Sequence, residues 1–256
     1  NFSNGSRYSW IVEPQLAYTK QLGWHNINFL LGSSIQQDGS ENTLLAGTNY
    51  SDDNLLGTIT AAGKVVPSYT QSRYKYAALF ARLGYRYNAR YLLNIAARRD
   101  GSSRFGPGKQ FANFYSIGAG WILSEEKWMK QHSAWLSYGK LRGSYGITGN
   151  DQIGNYKFLD TWSSNALLYN GVVGMDPSML YNPDYAWEAN RKLELAMDMG
   201  FWKDRILLSF SYYRNRSDNQ LIAYSLPFQA GFSSVNQNLD AEIENKGIEI
   251  TLDANL

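Results

Sequence analysis

Between Arg191 and Arg216 the chain alternates apolar and polar residues on both sides of a break at Lys203-Asp204. Leu193, Leu195, Met197, Met199 and Phe201 fall on one face; Lys192, Glu194, Ala196, Asp198 and Gly200 fall on the other. Beyond the break, Ile206, Leu208, Phe210 and Tyr212 alternate with Leu207, Ser209, Ser211, Tyr213 and Asn215. A period of two is the signature of a strand rather than a helix, so this stretch reads as a hairpin with one apolar face. Soluble antiparallel sheets share that pattern, and a single hairpin leaves the class open.

Recurrence narrows it. A first segment runs from about Arg7 to Lys20, with Pro14 on its apolar face as the one residue that would forfeit a ladder bond. Similar alternation returns at Ile27–Gln36, Leu79–Tyr87, Tyr91–Ala97, Tyr115–Ser124, Leu141–Thr148 and Ile248–Asn255, nine segments in all with the opening hairpin. Each covers about 9–11 residues, the length a tilted strand needs to cross a bilayer. Their connections run short, long, short, medium, short, long, short, long, with the long ones at about Asp38–Gln71, Gly149–Glu188 and Ser217–Asn245. Outer-membrane barrels segregate tight periplasmic turns from long extracellular loops in this way, and a soluble sandwich has no reason to do so. The expected fold is therefore an all-β, transmembrane antiparallel β-barrel, with residues 1–256 forming part of one barrel domain.

Composition fits. Aromatic residues make up 15% of the chain, with 19 Tyr and 8 Trp. They gather toward the strand ends: Tyr18, Tyr87, Tyr91, Trp121, Phe201 and Trp202 on the tight-turn side, and Tyr8, Trp10, Tyr74, Tyr76, Tyr115, Tyr145 and Tyr212 toward the other rim, as two girdles. No run approaches the roughly 18 apolar residues of a membrane helix, and mean hydropathy is −0.41. A basic residue facing lipid at midplane costs about 2–4 kcal/mol, and the mid-strand apolar faces carry none. Their polar counterparts hold Arg82, Arg98, Lys140, Arg142, Lys192, Glu194, Asp198, Glu249 and Asp253, which implies a wet or plugged lumen whose charges either pair across strands or line a cargo path. A net charge of +2 without a basic block gives no footprint for nucleic acid, and zero cysteines exclude a disulfide scaffold. Nine strands do not close a bacterial barrel, so the chain is expected to be a segment of a larger one; it starts at Asn1 without a methionine or signal peptide and reads as a mature or truncated piece.

Candidate chemistry is sparse. His25 and His132 are the only histidines and lack metal-ligand spacing to each other. Gly106-Pro107-Gly108-Lys109 lacks the spacing of a phosphate loop and reads as a turn. Asp240, Glu242 and Glu244 offer oxygen ligands for calcium but match no calcium-binding loop, and a solvated loop explains them better. Ser124-Glu125-Glu126 reads as the start of a short helical turn carrying Trp128 and Met129. No cofactor is expected, and no catalytic constellation stands out. The loop aromatics Tyr156, Trp162, Tyr169, Tyr181, Tyr185 and Trp187 either stack on a ligand such as a sugar ring or pack the loop on itself or on a lid subunit.

Tyr91–Lys130, YLLNIAARRDGSSRFGPGKQFANFYSIGAGWILSEEKWMK, resembles the most recognisable stretch of SusC/RagA-type TonB-dependent outer-membrane transporters, with RRDGSSRFG at Arg98–Gly106 the most specific part. The likeness continues in LRGSYGITGNDQIGNY from Leu141, WEANRKLELAMDMGF from Trp187 and NKGIEITL from Asn245. That resemblance implies a barrel of about 22 strands closed by an amino-terminal plug. It further implies energisation through TonB, a SusD-like surface lipoprotein as lid, and oligosaccharide or peptide cargo. This sequence would be the middle-to-late part of the wall, without plug or TonB box. The expected function is import, not bond-making; the alternative is an outer-membrane scaffold whose loops hold partner proteins, and a barrel-embedded enzyme would need an acid–base cluster that the sequence lacks.

Overall fold

The structure, a computed structural model, describes residues 1–133, 135–170 and 172–254; the side chains of 165–169 and the position of Asn255, expected in the last strand, lie outside the described set. The alternation resolves into fourteen strands: β1 Phe2–Val12, β2 Gln15–Leu22, β3 His25–Thr48, β4 Lys64–Tyr87, β5 Tyr91–Ser102, β6 Phe111–Ile122, β7 Leu136–Asn150, β8 Thr161–Tyr169, β9 Val172–Met179, β10 Glu188–Phe201, β11 Ile206–Asp218, β12 Gln220–Ser225, β13 Ser234–Leu239 and β14 Ile243–Ala254. One helix, α1, spans Lys127–His132. Among the described residues no helix is long and apolar enough to cross a membrane.

Ten strands form one antiparallel sheet in the order β1-β3-β4-β5-β6-β7-β10-β11-β14, with β2 sharing the position of β1 beside β3. The nine expected segments are thus the nine positions of this sheet. Pro14 accounts for the split between β1 and β2: it has no N–H to give, and the ladder lapses there. Register survives the gap, with Val12 opposite Ile35 and Gln15 opposite Gly32, and Ser33 still donates to the Pro14 carbonyl at 3.1 Å. The sheet does not close on itself: β1/β2 and β14 are its two edges.

The pairing fixes the faces. Leu83, Ile95, Ile117, Tyr145 and Leu193 are successive cross-strand partners on one face. Arg82, Ala96, Ser116, Gly146 and Lys192 are successive partners on the other. Tyr74 and Tyr76, expected in the outer girdle, instead share the polar face with Arg82, opposite Asp38 and Gln36. Among the described residues no second sheet or helix covers the apolar face: Ile250 is 67% exposed, and Leu195, Ile248, Leu252, Leu16 and Leu79 are exposed as well.

Two expectations about connections are corrected. The stretch 38–71 is not a loop for most of its length, because β3 and β4 stay paired from His25–Tyr87 to Thr48–Lys64. Each is 24 residues long. At about 3.3 Å per residue that is roughly 80 Å of strand, far beyond a hydrocarbon core of about 30 Å. Above the membrane polar and apolar residues mix on both faces, so the ladder is held by backbone bonds and by pairs such as Gln71 to Glu41 at 3.0 Å, with no one-sided burial to imprint a period. Within 149–188 and 217–245 the chain forms the small hairpins β8–β9 and β12–β13.

At the opposite end the turns are tight. Asn88 and Ala89 both take positive φ, 50° and 54°, the pattern of a two-residue turn whose twist suits flanking strands. Trp202, Lys203 and Asp204 are also left-handed, and Ser137 steadies them: its Oγ donates to Asp204 Oδ1 at 2.6 Å and accepts the Asp204 N–H at 3.0 Å. The connection from β6 to β7 is longer and contains α1.

Candidate functional site

At the loop end of the sheet the RRDGSSRFG segment becomes the hub of a packed cluster. Phe105 is 0% exposed and touches the rings of Trp187 at 5.0 Å and Tyr185 at 6.1 Å. Phe114 meets Trp187 edge-on at 5.6 Å, and Tyr76, Ile153, Phe158 and Leu221 pack around them. This is the one buried apolar core among the described residues, and it joins the β5–β6 loop to the chain before β10 and to the β12–β13 hairpin. The Trp187 indole N–H donates to the Gln110 carbonyl at 3.1 Å, so the ring is satisfied at both its apolar and polar parts. Burial pushes the Tyr185 phenol above its ordinary range.

A polar layer surrounds that core. The Asp151 carboxylate accepts from Tyr74 Oη at 2.7 Å and Ser102 Oγ at 2.8 Å, while its carbonyl accepts from Arg104 Nη1 at 2.7 Å. Arg104 Nε donates to Asn155 Oδ1 at 3.1 Å, and its guanidinium stacks 4.2 Å from the centre of the Tyr74 ring. Asn155 in turn donates to Ser72 at 2.7 Å. Asn182, Asn236 and Asn238 stitch the β12–β13 hairpin to the neighbouring loop: Asn182 Nδ2 to the Asn236 carbonyl at 2.7 Å, and Asn238 Nδ2 to the Ala186 carbonyl at 2.8 Å. Gly101 belongs to the same design. A Cβ there would stand 2.5 Å from the Phe111 ring, so the glycine lets that ring lie across the strand, where Arg99 stacks over it at 5.3 Å.

Down the lumen face the charges partly pair. Arg142 bonds Glu194 and sits 3.4 Å from Asp198, which also accepts from Ser209 at 2.9 Å. Arg98 bonds Asp100 and the Tyr76 hydroxyl, with Phe80 5.6 Å below its guanidinium. Arg82 and Arg86 are exposed on this face.

The loop aromatics separate into two groups. Tyr185 and Trp187 are buried in the cluster. Trp162 and Tyr181 are exposed, and Tyr156 is half-exposed with its hydroxyl accepting the Arg73 N–H at 2.8 Å. The side chain of Tyr169 lies outside the described residues. Phe228, which alternation gave no reason to single out, is 96% exposed at the tip of the β12–β13 hairpin. Its only signal in the sequence is an aromatic set between Pro227 and Gly231, two turn-forming residues.

The remaining candidates have structural roles. His25 Nδ1 lies 2.7 Å from the Tyr85 hydroxyl and His132 Nδ1 2.9 Å from the Trp128 carbonyl. Lys109 closes a turn onto the Gly106 carbonyl at 3.0 Å, with Gly108 at φ 82°. Glu244 binds Arg214 at 2.7 Å, Arg216 at 2.8 Å and Lys246 at 3.2 Å, while Glu242 lies 3.3 Å from Arg216. Among the described residues no group of three or more His, Cys, Asp or Glu side chains is placed to hold a metal ion. At the turn end, Glu126 accepts from Tyr91 Oη at 2.7 Å, Trp121 Nε1 at 3.1 Å and Arg90 Nη1 at 3.1 Å. The Tyr91 hydrogen bond first, then those of Trp121 and Arg90, hold the carboxyl below the usual range.

A sheet that is apolar and uncovered on one face, charged on the other, with tight turns at one end and interlocked loops at the other, is the wall of an outer-membrane β-barrel. The chain belongs to the TonB-dependent receptor-like β-barrel family, whose model matches residues 1–256. It is 32% identical over 232 residues to TonB-dependent receptor P39 of Formosa agariphila, covering 90% of this chain and 22% of that protein. It is 26% identical over 265 residues to TonB-dependent receptor SusC of Bacteroides thetaiotaomicron, covering 97% of this chain and 25% of SusC. The chain therefore spans about a quarter of the length of these relatives. In fold it matches the RagAB peptide importer in its closed-closed state with a TM-score of 0.88 at 24% identity, over 98% of this chain and 28% of that one. The ferric-catecholate receptor Fiu of Escherichia coli matches more loosely, with a TM-score of 0.58 at 12% identity over 99% of this chain and 36% of that one. The family is one of receptors and transporters rather than enzymes.

Proposed function

We propose that the full-length protein imports an oligosaccharide or peptide across the outer membrane in a TonB-dependent manner, as the barrel subunit of a complex with a SusD-like surface lipoprotein. The observation that supports it most is the division of labour along the strands. A lipid-facing apolar band forms wall, a charged inner face lines a lumen, and the loop end is locked by Phe105, Trp187 and the Arg104–Asp151 network into a firm surface. A firm surface suits a lid that opens and closes against it, because each closure then costs little loop ordering. Trp162, Tyr181 and Phe228 are exposed loop aromatics available to meet lid or cargo, and Tyr156 is half-exposed; Tyr185 and Trp187 hold the loops that carry them. The work is movement of cargo, and no bond is made or broken.

Uptake tests this reading against the scaffold alternative. Cells lacking the protein should fail to accumulate its cargo, and dissipating the inner-membrane proton gradient should abolish uptake in cells that have it. Normal accumulation in the deletion strain, with loss of a surface protein complex, would favour the scaffold.

A further inference from the structure

Above the loop-side rim, the lumen face of β1, β3 and β4 presents two polar rungs: Arg7, Ser40 and Ser72 in one, Ser9, Asp38 and Tyr74 in the next. Arg104 and Asn155 close the far side, leaving a cleft of about 400 Å³ with no aliphatic side chain in its lining. Arg104 is fixed from behind. Its Nε and Nη1 are used by Asn155 and the Asp151 carbonyl, and Tyr74 supports its plane, which leaves Nη2 without a protein acceptor among the described residues. Arg7 is exposed and forms no ion pair at contact distance among the described residues. Asp38 is the nearby carboxylate: Gln36 at 2.7 Å and Ser9 hydrogen-bond to it, and both Arg7 and Arg104 act on its charge without an ion-pair contact.

The cleft therefore has unspent donors on two guanidinium groups, hydroxyls from Ser40 and Ser72, and no aliphatic side chain to receive a hydrocarbon group. Planar guanidinium forks match carboxylate and sulfate oxygens, whereas the serine hydroxyls suit the hydroxyls of a sugar ring. We propose that this cleft binds an acidic saccharide unit of the cargo, its carboxylate or sulfate held by Arg7 and Arg104. The assignment rests on the import reading and narrows it to negatively charged glycans.

The test uses the full-length protein purified with its lipoprotein partner and exposed to three oligosaccharide pools, uronate-rich, sulfated and neutral, with an acidic peptide pool alongside. Retained molecules are identified by mass spectrometry. One acidic glycan pool should be retained at least about tenfold over the neutral one, the scale of a charge-assisted hydrogen bond, and which pool is retained tells carboxylate from sulfate. Arg7→Gln should lower retention by a similar factor and Arg7→Lys should restore part of it; among the described residues the exposed Arg7 side chain makes no hydrogen bond or ion pair that holds the loops, so these variants keep them intact. Equal retention of neutral glycans, preference for the peptide pool, or an unchanged Arg7→Gln would each overturn the proposal. Binding that behaves as expected in a protein that supports no energised uptake would leave the cleft assigned and the import reading refuted; energised uptake of neutral cargo would do the reverse.

Discussion

Phe105 shows how one side chain organises a whole end of this molecule. It is the only large side chain fully withdrawn from solvent among the described residues, and three separate chain segments meet on it. Removing a buried phenyl ring costs about 3–5 kcal/mol. Phe105→Ala is therefore expected to release the loops while leaving the strands paired, seen as faster hydrogen exchange across 149–188 and 217–245 with no change in the β10–β11 hairpin. Uniform protection after the substitution would show that the polar layer alone holds the cluster. Glu126 is the counterpart at the turn end. Its carboxyl is held below the ordinary value of 4.5, so the stabilisation it gives is complete above that value and is lost as pH falls through the lower, folded-state value. The connection between β6 and β7 is accordingly expected to loosen below about pH 4.5, and Glu126→Gln to remove that dependence, as read by hydrogen exchange of 123–135 against pH. A profile identical in both proteins would assign the transition to other carboxylates.

At the scale of elements, the strands were legible where burial is one-sided and illegible where it is not. Leu193 to Phe201 and Ile248 to Ala254 declare their facing because lipid tolerates no charge on one side. The outer halves of β3 and β4 do not, because Glu41, Asn42, Ser68 and Gln71 meet water on either face and pairing there is a backbone matter. For the same reason Tyr74 and Tyr76 looked like girdle residues until the unbroken register carried the lumen parity up to them. The loop cluster was only half visible: RRDGSSRFG marked itself as unusual, but that Asp151, Asn155 and Trp187 close over it depends on contacts between residues far apart in sequence. The facing of β14 gives a clean test. Ile250 points to lipid, while Thr251 shares the lumen side with Glu249 and Asp253. Ile250→Arg should block assembly of the full-length barrel, at about 2–4 kcal/mol near midplane, and Thr251→Arg should assemble near normally. Equal outcomes in a heat-modifiability assay would refute the parity assigned here.

For the molecule as a whole, the broad apolar surface is solvent-facing only in the sense that its solvent is lipid. Among the described residues very few apolar side chains are buried by protein, and the large ones sit at the loop end, so the strands have little protein core of their own. Backbone pairing holds the wall together laterally, and the bilayer supplies the rest once both sheet edges are joined to the remaining strands. The chain contains no cysteine, which makes site-directed labelling straightforward. The most direct measurement is collision accessibility of nitroxide labels on Leu195→Cys, Ile250→Cys, Ser211→Cys and Thr251→Cys in the full-length protein reconstituted into liposomes. The account predicts that labels at the first two positions are reached by oxygen and shielded from a water-soluble nickel chelate, and that labels at the other two are not exposed to the oxygen-rich bilayer interior. Low oxygen accessibility at Leu195 and Ile250 would mean that protein, not lipid, covers that face, and would contradict it.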